Sequence, residues 1–416
     1  MNKSNVLILD LETTNLTKYK RIANPWYNNI VAIGYVKNKL ANTFYGIPDD
    51  NYLRELLCNT DVLVGHNLKF DLLYLWKQEG LQEWLRNGGR IFDTQLAEYY
   101  LSSFQNKYPA LRDIAVNKYG CMERPKHIDR LLFDIPENQR VDYKQVSDIP
   151  KELVLEDVKN DVLDTEQVYL GQIAKAEQLG ILDVLEFQMN YLLATTEMEF
   201  NGFFIDVETL QKNKKELEDR LVPIQKQFDR VVNKYIPIEV FNSQPRKGLH
   251  ALFFGGEIKV VTKEPLLDNN GLPLMVKFGQ KIGQARFKNV EKVLKINGLG
   301  VKVLDHWMTE KGNVSIDETV LQEIIKLEYI TRTQQESDAV TVSKLLLDIR
   351  DISKQVSTYY TAVEELVYVI DQCIHGKFHH CATGTGRLSS SDPNLQNIPR
   401  GKGEGSTKEQ FKTRFK

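Results

Sequence analysis

A chain of 416 residues that is 42% hydrophobic and 26% charged has the make-up of a soluble globular protein and is long enough for two or three domains with a sizeable core. Its formal net charge of −2 excludes overall charge as a ground for expecting nucleic acid, so any such partner must meet a local basic surface. The cysteines Cys58, Cys121, Cys373 and Cys381 are scattered and form no CxxC pair, which fits reduced thiols and not a dithiol framework.

The amino-terminal segment MNKSNVLILDLETT meets acidic residues too early for a signal peptide, and no apolar run approaches the roughly 20 residues of a membrane span. A cytoplasmic protein with reduced thiols and no membrane partner is expected. Residues 5–46 alternate short β-rich runs, VLIL and NNIVAIGYV, with turn formers, which predicts the opening strands of a mixed sheet. Helices and strands then alternate: NYLRELLC, DVLVGHN, KFDLLYLWKQE, RIFDT and QLAEYYLS, the pattern of an α/β domain. A long helix is predicted from Pro150, with Asp148 as its cap, to a stop at Gly180. Residues 181–240 read as long helices, 255–302 as a Gly- and Lys-rich stretch, and the following residues as helix to about 373, before a polar Gly/Ser-rich tail.

Three acidic elements stand out. Asp10 and Glu12 lie two apart at the end of the first apolar strand and so share one face of it. Asp71 falls in the first turn of the helix after GHN, near the positive end of its dipole. Asp161 sits on the long amphipathic helix, with Thr165 following. Taken alone, Asp10 and Glu12 read more readily as solvated surface acids, and Asp71 as an exposed acid on a capped helix. Gathered together they would repel one another and be tolerable mainly around divalent cations.

In order and spacing, DxE within LDLETT, NxxFD within GHNLKFD and the aspartate within NDVLDT match the three motifs of the DEDD (DnaQ-like) exonucleases; FDTQLA at 92–97 resembles the segment after the second motif. The resemblance implies an RNase H-like mixed-sheet domain that hydrolyses phosphodiesters at 3′ ends with two Mg²⁺ or Mn²⁺ ions. Asp10, Glu12, Asp71 and Asp161 are the implied ligands, and Thr13, Asn67 and Phe70 the implied supporting or substrate contacts. Members associated with polymerases place a water-orienting tyrosine four residues before the last aspartate, where this chain has Asp157; the histidine variant places its histidine where this chain has Glu156. Asp157, one helical turn from Asp161, is therefore the candidate for that role, expected at the rim of the cluster, or else a surface acid.

The second half resembles the family A DNA polymerases. TTEMEFNGFFIDVETLQ carries Met198, Glu199, Asn201, Gly202 and Asp206 of a family signature, while FNSQPRKGLHALFFG and EKGNVSIDETVLQEI are similar to thumb segments. CATGTGRLSSSDPNLQNIPR, residues 381–400, is nearly identical to the TGRLSSxxPNLQNIP motif of the bacterial DNA polymerase I class and its bacteriophage relatives. That stretch implies DNA contacts by Thr385, Arg387, Asn394, Gln396 and Asn397, because guanidinium and amide groups reach phosphates and minor-groove acceptors. IRDISKQVSTYY adds Lys354 and Tyr359 on a thumb-to-palm helix. Residues 257–302 carry nine Lys/Arg against four Asp/Glu, either a solvated face or a phosphate-contacting hairpin.

The implied organisation is an α/β exonuclease domain, 1–180, followed by a mainly helical partial polymerase domain, 181–416, comprising the start of the palm and a thumb with the basic insertion 257–302. In the family the next segments would bring the catalytic palm aspartates and the fingers. The expectation is thus a proofreading-type exonuclease and primer-template holder, completed by a second polypeptide in a phage-infected bacterial cytoplasm, with the tail STKEQFKTRFK the first part cleaved by protease. The alternatives are a DNA-holding scaffold whose exonuclease has decayed, and an RNase D-type enzyme acting on RNA, which the motifs from residue 196 onward oppose.

Overall fold

The computed structural model describes residues 5–14, 25–134, 143–268, 271–276, 282–310, 313–326, 333–368 and 371–397. Residues 398–400 of the nearly identical motif, the centre of the basic insertion at 277–281 and the tail 406–416 lie outside them. By contacts the chain divides into two compact units, Met1–Ile205 with Leu366–Lys416, and Asp206–Glu365, whereas the sequence expectation was drawn along the chain, at 180.

The first unit opens with a mixed five-stranded sheet in the order β3-β2-β1-β4-β5. Its strands are β1 (Val6–Thr13), β2 (Ile30–Lys37), β3 (Leu40–Tyr45), β4 (Val62–Gly65) and β5 (Arg90–Asp93). Central β1 pairs antiparallel with β2 and parallel with β4, which pairs parallel with β5. Leu7, Leu9 and Leu11 are buried, which turns Asp10 and Glu12 to the opposite face by the period of two. The β1–β2 register slips between Glu12 and Thr13, a bulge of the kind that re-aims side chains beside a site.

The helices are α1 (Asp50–Leu57), α2 (Leu68–Leu75), α3 (Glu79–Arg86), α4 (Thr94–Leu101), α5 (Leu111–Tyr119), α6 (Lys151–Leu179) and α7 (Leu182–Asn201). Helix α6 begins after Pro150 with no side-chain cap. Asp148 instead closes the preceding turn, accepting from the Lys144 and Gln145 amides at 3.0 and 3.2 Å, so the sequence assigned it to the wrong turn. The stop at Gly180 is a left-handed residue, φ 68°, as a helix C-terminus favours.

Gly34 lets α6 lie close on the sheet. It pairs with Asp10 across the ladder, and a Cβ there would stand 2.5 Å from the Val158 carbonyl oxygen, one turn before Asp161 on α6. Gly34→Val should therefore push α6 off β2, lowering stability by about 1–3 kcal/mol and spreading the acidic cluster. Denaturant unfolding compared with Mn²⁺ binding by the same preparation checks both effects.

After strand β6 (Phe203–Phe204) the chain enters the second unit, built from α8 (Val207–Val232), α9 (Ile238–Ser243), α10 (Pro245–Phe254), α11 (Glu318–Lys326) and α12 (Gln334–Lys354). Its core joins Val232, Leu252, Phe253, Leu321 and Val342. Strands β7 (Gly256–Pro265) and β8 (Phe287–Ile296) pair along their whole length as a two-stranded ribbon. Lys259, Lys263, Lys288, Lys292 and Lys295 are exposed on it.

The chain then returns to the first unit as β9 (Cys373–Ile374), which pairs with β6, and the hairpin β10 (Lys377–His379) with β11 (Ser389–Ser391). Buried Glu199, near the end of α7, fastens this return: its Oε1 accepts from Lys69 Nζ at 2.6 Å and from the Phe378 amide at 2.5 Å. Tyr99 of α4 donates to the Thr383 carbonyl at 2.5 Å, and Cys381 packs into the sheet's hydrophobic core. No helix among the described residues is long and apolar enough to cross a membrane.

Candidate metal centre

Asp10 and Glu12 on β1 and Asp161 on α6 each offer a carboxylate oxygen, and these atoms all lie within 4.8 Å of one another. The strand supplies two acids on one face, the glycine opposite Asp10 admits the helix, and the helix brings the third. Burial pushes the Asp10 and Glu12 carboxyls well above the usual carboxylate range, repulsion within the cluster adds to it, and the Lys126 ammonium opposes it. Burial likewise raises Asp161, against Lys126. Three crowded oxygen donors with no sulfur or imidazole fit a hard divalent cation such as Mg²⁺ or Mn²⁺.

Asp71 is placed differently from the other three. It is 2% exposed, and its Oδ1 accepts from the Leu11 amide at 3.0 Å, so it grips the strand between Asp10 and Glu12. Burial raises its carboxyl and the Asp10 charge adds to this, while the Leu11 amide lowers it. Asn67 takes the left-handed conformation ahead of α2, φ 57°, and is exposed. Phe70 is half-buried against Tyr74, ring centroids 5.0 Å apart, and Thr13 is buried beside the bulge.

Asp157 borders the cluster, its charge raising the Glu12 and Asp161 carboxyls, but it is not a surface acid. It is 1% exposed, and its two oxygens accept from the His127 and Ile128 amides at 3.0 and 2.7 Å. Its spacing from Asp161 was read correctly, but its carboxylate is taken up by backbone donors of the preceding segment. That segment also supplies Lys126, which sequence reasoning missed, ion-paired to Asp161.

Asp93 is a further buried acid. It caps α4, its Oδ1 accepting from the Gln95, Leu96 and Asn67 amides at 2.8, 3.1 and 3.2 Å, and so ties the second acidic motif to α4. Burial pushes its carboxyl up from 3.8 to about 6 against those amides. A folded value above the unfolded one gives stability that is complete below about 3.8 and lost as pH rises through about 6. Asp93→Asn keeps an acceptor without the charge. It should flatten the stability profile between pH 4 and 7.5 by up to about 3 kcal/mol, measured by urea unfolding in chelator at both pH values. Nearby His66 is held neutral, pushed down to about 4 mainly by burial, with its ring nitrogens 2.9 Å from Thr94 Oγ1 and the Pro109 carbonyl.

The residues assigned to DNA divide between the units. Lys354 is exposed at the end of α12 and Tyr359 half-buried just beyond it, both in the second unit. In the first unit Thr385 and Arg387 are exposed. Gln396 Nε2 donates to the Leu388 carbonyl at 2.6 Å, and Asn394 Oδ1 accepts from the Gln396 amide at 3.2 Å; these amides shape the turn as well as bordering its surface. Asn397 closes the short turn Leu395–Asn397.

Residues 278–415 match the family DNA polymerase family A. DNA polymerase I of Aquifex aeolicus is 26% identical over 96% of this chain, and that of Pseudomonas aeruginosa 25% identical over 97%. The chain spans only 55% and 38% of those relatives' lengths. Among solved structures, the POL domain of Pol1 from M. smegmatis in complex with DNA primer-template and dNTP is similar in fold over 99% of this chain and 55% of its own, with TM-score 0.61 and 17% identity.

Proposed function

From the premise that this chain is a relative of the family A DNA polymerases, we propose that its first unit removes nucleotides from the 3′ end of DNA, as a proofreading-type exonuclease in an RNase H-like fold. The carrying observation is the meeting of Asp10, Glu12 and Asp161 within 4.8 Å. These residues would hold divalent ions, with Asp71 fixing the strand through Leu11. Bound there, a pair of Mg²⁺ or Mn²⁺ ions supplies Lewis acidity for activating a water and neutralising the leaving 3′ oxygen. The chain's own part is to set the carboxylate spacing through the Gly34 contact and the Leu11 grip, and Asn67 and Phe70 would contact the terminal nucleotide.

Primer-template would run along the exposed Thr385 and Arg387 and the turn at 394–397. The exposed lysines of the β7–β8 ribbon, with Lys354 and Tyr359, would add phosphate contacts, a term that weakens with salt. A second reading, a DNA-holding scaffold without catalysis, is favoured by Lys126 within the cluster and by Asp157 facing backbone amides. A 5′-labelled single-stranded DNA incubated with the chain in Mg²⁺, Mn²⁺ or chelator separates the two. Stepwise shortening from the 3′ end in metal alone supports the exonuclease; DNA binding without shortening in any metal supports the scaffold.

A further inference from the structure

Lys126 belongs to none of the acidic motifs, yet its ammonium lies among them. It is ion-paired with Asp161, and the two side chains are only 16% and 15% exposed. The Lys126 charge also reaches Asp10 and Glu12, whose carboxyls it pulls down against their burial.

The segment around it is fastened on both sides. Arg124 Nε stands 3.2 Å from an Asp164 oxygen, and the His127 and Ile128 amides donate to Asp157. Asp157, Asp161 and Asp164 share one face of α6, at spacings of four and three. Residues 124–128 run past that face and answer each acid in turn: amides to Asp157, ammonium to Asp161, guanidinium to Asp164. Lys126 is thereby held in place, not free to sample solvent as a surface lysine does.

An ammonium and a divalent ion cannot both sit against Asp161 without strong mutual repulsion. We propose that Lys126 is a resident counter-cation of the acidic cluster: it neutralises Asp161 when no metal is bound, and divalent ions must displace it to enter. The inference rests on reading the cluster as a metal site. It makes entry of metal a competition, raising the metal concentration at which the site fills. It also gives the three carboxylates a partner in the metal-free protein, where uncompensated crowding would destabilise the fold.

The test is calorimetric titration of the full chain with Mn²⁺, comparing the wild type with Lys126→Met, Lys126→Arg and Asp10→Asn, together with melting in chelator and in Mn²⁺. Lys126→Met removes the charge at similar length and should bind Mn²⁺ more tightly by about 5- to 150-fold. It should also melt lower in chelator and gain more from Mn²⁺ than the wild type. Lys126→Arg, which keeps the cation, should stay near wild-type affinity and certifies that the segment tolerates replacement. Binding that is abolished by Asp10→Asn but equal or weaker in Lys126→Met overturns the counter-cation and leaves the metal site standing. Absence of Asp10-dependent binding in both wild type and Lys126→Met overturns the metal site, and the counter-cation with it.

Discussion

Asp10→Ala should slow metal-dependent release of 3′ nucleotides by on the order of 10³-fold, the scale of removing a central electrostatic contact from a reacting site, while leaving metal-free stability unchanged or higher. Asp10 faces both Glu12 and Asp161, and its carboxyl is raised by burial and by repulsion from Asp161, so its charge strains the metal-free cluster. Asp161→Ala should lose as much activity but behave differently without metal, because it also removes the partner of the mostly buried Lys126. Gel assay of single-stranded DNA degradation, paired with melting in chelator, reads both quantities. Near wild-type degradation by Asp10→Ala would refute the cluster as the hydrolytic site.

Glu199→Ala should give the largest loss of stability, about 3–5 kcal/mol, the penalty for stranding one member of a buried ion pair. Glu199 is 4% exposed and Lys69 15%, and the Phe378 amide would lose its acceptor as well. Among the described residues Lys69 would keep the Phe378 carbonyl as its partner. Glu199→Gln, which retains an acceptor, should lose less. Trp26, Trp76 and Trp84 belong to the first unit and Trp307 to the second, so tryptophan fluorescence during urea unfolding in a Trp307→Phe background reports this change; a loss below about 1 kcal/mol would mean that the pair holds little.

What was legible in the sequence was whatever repeats a period or a spacing. The alternation of Leu7, Leu9 and Leu11 with Asp10 and Glu12 fixed the face of β1, and Pro150 with Gly180 bounded α6. Asp161 could be matched to Asp10 and Glu12 because three weak motifs occurred in one order. Residues whose role depends on contact across the fold were not legible. Lys126 is one lysine in the polar run MERPKH, and only the approach of that segment to α6 gives it meaning. Gly34 looked like any strand glycine until Val158 was placed against it. Asp157 illustrates the converse: its helical spacing from Asp161 predicted proximity, but spacing does not disclose that two backbone amides already occupy its oxygens. Glu199 was recognisable as part of a motif, whereas its bond to a strand near the other end of the chain was not.

That the first unit is made from two separated stretches of chain sets an order of events during synthesis. Lys69 and Phe378, which meet in the finished unit, are 309 positions apart, about 15–60 s of translation at roughly 5–20 residues per second. Within that interval the whole of Asp206–Glu365 is produced. The unit begun first is thus completed last. Until residues 373–391 arrive, the nascent sheet waits with its core unclosed at the place Cys381 will fill and with the Glu199 carboxylate lacking the Phe378 amide.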